Sequence, residues 1–155
     1  MNVRMAGVAL VLVLGAATAA CGDSGRPRAG ARAELEGPTW VLDTRATPIG
    51  TPAGRVGVPA GRVEVSARFA AGHVTGSTGC NDYAAEYHSS PPALRIDGAH
   101  VTTHRACTTA TGPVETAYLG RLAQVRRAAL GSRTLTLRDA SGRTVLSFTA
   151  AAGRG

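Results

Sequence analysis

Arg62-Val63-Glu64-Val65-Ser66-Ala67-Arg68-Phe69 alternates strictly between polar and apolar residues. Successive side chains of an extended chain leave on opposite sides, so Val63, Val65, Ala67 and Phe69 share one face and the charged or polar residues the other. The stretch predicts a half-buried β-strand. Ala70-Ala71-Gly72 is a turn signal, and the β-branched and small residues of His73 to Cys80 suit an antiparallel partner strand. Leu94 and Ile96 precede an expected Asp97-Gly98 turn, with Val101-Thr102-Thr103 as the next extended piece. Near the C-terminus, Thr134 to Arg138 and Arg143 to Thr149 flank Asp139-Ala140-Ser141-Gly142, which predicts a hairpin burying Leu135, Leu137, Leu146 and Phe148.

One helical pattern interrupts the β-segments. Gly112-Pro113 opens it with proline suited to the first turn and Glu115 near the positive end of the helix dipole. Val114, Ala117, Tyr118, Leu122 and Val125 recur at helical spacing, and Arg126-Arg127 marks the expected end. Trp40 and Leu42 are expected to open the sheet. Thr47 to Gly61, with three prolines and four glycines, reads as a long irregular connection. The fold class expected is α+β, a mainly antiparallel and partly closed sheet with one packed helix.

The N-terminal 21 residues carry an address. Arg4 is followed by a charge-free apolar run from Met5 to Ala17, then Thr18-Ala19-Ala20-Cys21. The run is shorter than the roughly 18 apolar residues of a membrane span, so residues 1–20 read as a cleaved signal peptide. The small residues before Cys21 resemble the lipobox of bacterial lipoproteins, with Thr18 where leucine is usual. Lipid on Cys21 is therefore expected, anchoring the chain at the extracytoplasmic face of the membrane. Ordinary cleavage after Ala17-Thr18-Ala19, giving a secreted protein, is the alternative. Residues 21–37 read as a flexible tether, 38–149 as one domain and 150–155 as a disordered tail.

All 17 basic residues are arginine, against 10 acidic ones, for a formal net charge of +7. They are scattered, with only Arg126-Arg127 adjacent and few aromatics among them, which argues against a nucleic-acid partner.

Gly79-Cys80-Asn81, Tyr87, Thr103 with Ala106-Cys107, Tyr118-Leu119 to Leu122, Leu135-Thr136-Leu137 and Phe148 stand in an order that resembles the META domain family, also called HslJ-like. Trp40-Val41-Leu42 matches that family's opening strand. His104-Arg105 is a departure, since a methionine often precedes the alanine-cysteine pair. The resemblance covers residues 38–149 and implies a compact domain of antiparallel strands plus a helix, usually exported and often lipid-anchored. It implies no established reaction.

With Cys21 set aside, Cys80 and Cys107 remain in a compartment that permits oxidation. In the family the two cysteine segments lie on neighbouring extended pieces, which implies a disulfide; two separate buried thiols are the alternative. A zinc set of His100, His104, Cys107 and Cys80 is disfavoured, because on a strand the histidines and Cys107 face opposite sides and oxidation removes the thiolates. Thr75-Gly76-Ser77-Thr78-Gly79 lacks the first glycine of a nucleophile elbow and sits on an expected strand. Asp82 and Glu86 have the residue type of paired glycosidase carboxylates, but solvated acids beside a loop explain them, and Asn81 and Asp82 suit a turn. No phosphate-binding glycine loop is present, and no metal or other cofactor is expected.

These readings converge on a non-catalytic, lipid-anchored module for envelope stress or maintenance, with an envelope protein or cell-wall partner. The alternative is a secreted ligand-binding or hydrolytic domain acting on cell-wall material through residues 80–88 and 100–107.

Overall fold

The structure is a computed structural model that describes residues 29–47, 49 and 64–152. The signal-peptide and lipidation readings, with Cys21, lie outside the described residues. So do Arg62 and Val63 and nearly all of the Thr47 to Gly61 connection.

Among the described residues two helices and eight strands follow in the order α1 (Ala29–Glu36), β1 (Trp40–Leu42), β2 (Ser66–Ala70), β3 (His73–Ser77), β4 (Asp82–Ser90), β5 (Ala93–Val101), α2 (Gly112–Leu122), β6 (Arg127–Leu130), β7 (Thr134–Arg138) and β8 (Thr144–Ala150). Each strand pairs antiparallel with the next, and β1 pairs with both β2 and β8, so the sheet closes into a ring. The expected sheet was only partly closed. Closure comes from three-residue β1, whose Trp40 stands opposite Ala67 on one side and Ala150 on the other.

The alternation holds over residues 64–69. Val65, Ala67 and Phe69 are buried inside the ring while Glu64 and Arg68 are exposed. Leu135, Leu137, Leu146 and Phe148 are buried as the hairpin predicts, and Val114, Tyr118, Leu122 and Val125 fill the interior from the helical side. Three edge-to-face ring pairs, Phe69–Tyr87, Tyr83–Tyr118 and Tyr118–Phe148, knit strands to helix inside this core.

Several expectations need correction. The sequence predicts one helix and a tether through residue 37, yet residues 29–36 form α1. Its composition, alanine with Arg32, Glu34, Leu35 and Glu36, favours helix. The helix stops where Gly37 N donates to Ala33 O at 2.9 Å and Pro38 follows. Leu35 is buried, and its carbonyl accepts from Trp40 Nε1 at 2.9 Å, so α1 is docked against the ring rather than tethered to it. At the other terminus Ala150 belongs to β8, and Ala151 N still donates to Thr39 O.

The predicted helix end at Arg126-Arg127 is also displaced. α2 stops at Leu122, and Arg127 begins β6, whose alanine-rich sequence is helix-favouring but is recruited by four register pairs with β7. Asp97-Gly98 is not a turn. It is a bulge within β5, because Ala84 pairs with His100 but Glu86 with Asp97, leaving two β5 residues opposite Ala85. Gly98 takes φ +63° there, a conformation that side chains disfavour.

Candidate functional site

The motif residues gather at the end of the ring where β3 turns into β4 and the segment 102–111 crosses to α2. Thr78 is fully buried at the head of that turn. Its backbone N donates to Asn81 O at 2.7 Å, and its Oγ1 accepts from Asn81 N at 2.9 Å and Cys80 N at 3.3 Å. Gly79 supplies the positive φ, +87°, that the turn needs. The Thr78 hydroxyl has a single proton to donate, and Glu115 Oε2 at 2.6 Å is its nearest acceptor.

Asn81 is 4 % exposed and uses its amide in both directions. Oδ1 accepts from Arg105 N at 2.7 Å and Thr103 Oγ1 at 3.0 Å, while Nδ2 donates to Glu115 Oε1 at 3.3 Å. Thr103 Oγ1 in turn accepts from Asp82 N at 2.9 Å. Cys80 and Cys107 are joined by a disulfide with Cα atoms 5.6 Å apart, and Cys107 Sγ lies 3.3 Å from Asn81 Nδ2. Thus Gly79, Cys80, Asn81, Thr103 and Cys107 form one bonded cluster that ties a turn, a crossing segment and the first turn of α2 together.

The other motif members stand apart. Ala106 is exposed on the crossing segment. Tyr87 is buried toward the opposite end of β4, where its hydroxyl hydrogen-bonds Glu36 Oε1, which also takes Arg32 Nε at 2.8 Å. The bond from Tyr87, then that from Arg32, holds the Glu36 carboxyl below its usual range. Burial, then the bond to Glu36, pushes the Tyr87 phenol up.

The sequence placed Asn81 and Asp82 in local turn bonding. Instead Thr78 closes the turn, Asn81 reaches 22 to 34 residues along the chain, and Asp82 opens β4 with Arg105 Nη2 at 3.5 Å from its carboxylate. Glu86 also lies on β4, not beside a loop. Asp82 and Glu86 project with Ala84 from one face of β4. Glu115 is the participant missed by sequence reading, which assigned it only a dipole role. Its position in the first turn of α2 was legible, its partners Thr78 and Asn81 in the turn between β3 and β4 were not.

Cys80, Cys107 and Glu115 offer ligand atoms within 4.8 Å of one another, but sulfurs bonded to each other present no thiolate to a metal. Neither His100 nor His104 joins that group; His100 Nδ1 is 2.8 Å from Gly98 O, and His104 is exposed. The chemistry of the cluster as it stands is cross-linking.

The ring resembles a protein from Burkholderia xenovorans solved by NMR, with a TM-score of 0.59, 23 % identity, and coverage of 92 % of this chain and 100 % of that one. It also resembles a DUF4847 family protein from Bacteroides vulgatus ATCC 8482, with a TM-score of 0.57, 14 % identity, and coverage of 77 % and 96 %. At these identities the likeness speaks for the fold. No curated protein sequence matches the chain. The META domain model matches residues 33–152, most of the chain and all ten secondary-structure elements but the first turn of α1, and with the Gly-Cys-Asn turn, its paired cysteine and the closing hairpin in place the chain belongs to the META domain family.

Proposed function

We propose that this chain is a non-catalytic exported lipoprotein, held at the extracytoplasmic membrane face by lipid on Cys21, whose META domain is a binding module for envelope stress or maintenance. The observation that carries this reading is the fate of the motif. Its thiols are spent in a disulfide, its amide and hydroxyls in bonds to Arg105, Thr103 and Glu115, so its polar chemistry is directed inward. A disulfide across the domain also suits an oxidising compartment, in keeping with the Met1 to Cys21 signal. An anchor confines the domain near the bilayer and raises its effective concentration for envelope partners.

Cys21→Ala tests the anchor. The parent is expected in the membrane fraction and labelled by a palmitate analogue, and the variant in the soluble fraction without label; an unlabelled or already soluble parent refutes it. Alanine at both Asp82 and His104 tests the non-catalytic part in a deletion strain that is sensitive to envelope stress. Rescue by this variant is expected to match the parent. Loss of rescue by a folded, correctly located variant favours a hydrolytic or ligand-binding domain acting on cell-wall material.

A further inference from the structure

The geometry points to a second site, remote from the motif cluster: a surface cleft across β3, β4 and β5 that takes a divalent transition ion of the zinc class through His73, Glu86 and His100, with Asp97 as the fourth ligand. The cleft has a volume of about 470 Å³, and these four residues line it, with Ala84 and Gly98 among its other walls.

Its construction follows from register. His73 pairs with Glu86, and Glu86 with Asp97, so one residue from each of three adjacent strands stands in a row across the outside of the ring. Tyr87 N donates to Gly72 O at 2.8 Å, which makes the adjacent His73–Glu86 pair the narrow, non-hydrogen-bonded kind whose side chains stand closest. His100 occupies the next row, opposite Ala84, and the methyl group of Ala84 leaves the space between rows open.

The bulge at Gly98 prepares His100. A carbonyl only accepts, so the 2.8 Å contact between Nδ1 and Gly98 O places the ring proton on Nδ1 and leaves the lone pair of the neutral imidazole on Nε2. A backbone carbonyl fixing the distal nitrogen is the usual support of a metal-binding histidine. Side chains of His73 and Glu86 make no hydrogen bond or ion pair with other described residues, so their donor atoms are uncommitted. Asp97 Oδ2 lies 2.8 Å from Arg95 Nε and 3.9 Å from His88 Nε2, ion pairs without a hydrogen bond, and Asp97 also lines the cleft.

Imidazole with carboxylate selects zinc, copper or nickel over calcium or magnesium. The donors surround the cleft without already meeting at a point, so an ion must draw exposed side chains inward at a cost in side-chain entropy.

The test is calorimetric titration of zinc chloride into the untagged full-length chain in detergent, with the disulfide intact and Cys21→Ser to remove a competing thiol. One saturable site is expected, weakened about tenfold or more by His73→Ala and by His100→Ala, and unchanged by His104→Ala. On the unsubstituted histidines, imidazole NMR is expected to show zinc moving the His73 and His100 signals and sparing His104, a readout independent of whether any alanine variant folds. Absence of saturable binding, undiminished binding in the His73→Ala/His100→Ala double variant, or shifts centred on His104 would overturn the assignment.

Discussion

The pair Tyr83 and Tyr118 offers the sharpest test of how this core is held. Their hydroxyls meet at 2.8 Å, and Tyr83 is 1 % and Tyr118 0 % exposed. Two hydroxyls carry two protons, yet the pair makes one hydrogen bond, and neither has another partner among the described residues. Tyr118→Phe therefore strands the Tyr83 hydroxyl in an apolar interior, at a cost of about 1–3 kcal/mol, and Tyr83→Phe does the same to Tyr118. Replacing both removes two desolvated dipoles while keeping both rings and their edge-to-face contact at 5.4 Å. The double variant is therefore expected to lie near the parent, so the coupling between the sites is the sum of the two single losses, about 2–6 kcal/mol. Equilibrium urea unfolding of the four proteins at neutral pH measures this. Strictly additive losses would refute the reasoning, since they would mean that each hydroxyl finds a partner of its own.

The same pair has an alkaline signature. Burial pushes the Tyr83 phenol up, and burial followed by the neighbouring Tyr83 pushes Tyr118 well above its ordinary value. With the folded values raised, the stability they confer is complete below about pH 10 and is lost as pH rises beyond it, because the unfolded chain releases those protons first. The double phenylalanine variant is expected to flatten that limb, leaving the contribution of Tyr87.

Two further outcomes follow from the site and the closing hairpin. Asp139 accepts from Ser141 Oγ at 2.6 Å and from Arg143 N and Nε at 3.0 Å, and these bonds, Ser141 first, lower its pKa to about 2. The hairpin's stabilisation is therefore present above the ordinary carboxylate value near 4 and lost as pH falls toward 2; Asp139→Asn is expected to lower the melting temperature at neutral pH and to erase this acid limb, and a pH series of thermal melts checks it. Asn81→Ala leaves Arg105 N and Thr103 Oγ1 without their acceptor, and a loss of about 1–3 kcal/mol in urea unfolding is expected with the disulfide still formed, while an unchanged midpoint would remove the cluster from the list of what holds α2 to the ring.

Legibility in the sequence tracked the length and contrast of each pattern. β2, the closing hairpin and the buried face of α2 were readable because apolar residues repeat there at a period that admits one structure. α1 was not, since among its described side chains Leu35 alone is buried and a polar, alanine-rich octet resembles a linker. β6 was not, since the helix was expected to run to Arg126-Arg127 and the alanine-rich Arg127 to Leu130 carries no alternating pattern; pairing with β7 makes it a strand. Asp97-Gly98 carried a true signal for positive φ that a turn and a bulge share, and only the strand opposite distinguishes them. In the motif cluster the sequence supplied Gly79, Cys80, Asn81, Thr103 and Cys107 but not Glu115, because a bond across 34 residues leaves no local trace.

What the chain's order of residues settled unaided was therefore local: which segments extend, which face of each is apolar, where α2 begins, and that Gly79-Cys80-Asn81, Thr103 with Ala106-Cys107, and Leu135, Leu137 and Phe148 stand in the META order. Tertiary structure alone decided closure of the ring through β1, the docking of α1 by Leu35, Trp40 and Tyr87, and the placing of His73, Glu86, Asp97 and His100 around one cleft on its outer face. The physical reason is register. Backbone periodicity is written in neighbouring residues, whereas which strand lies beside which, and at what offset, is set by the burial of the whole core at once.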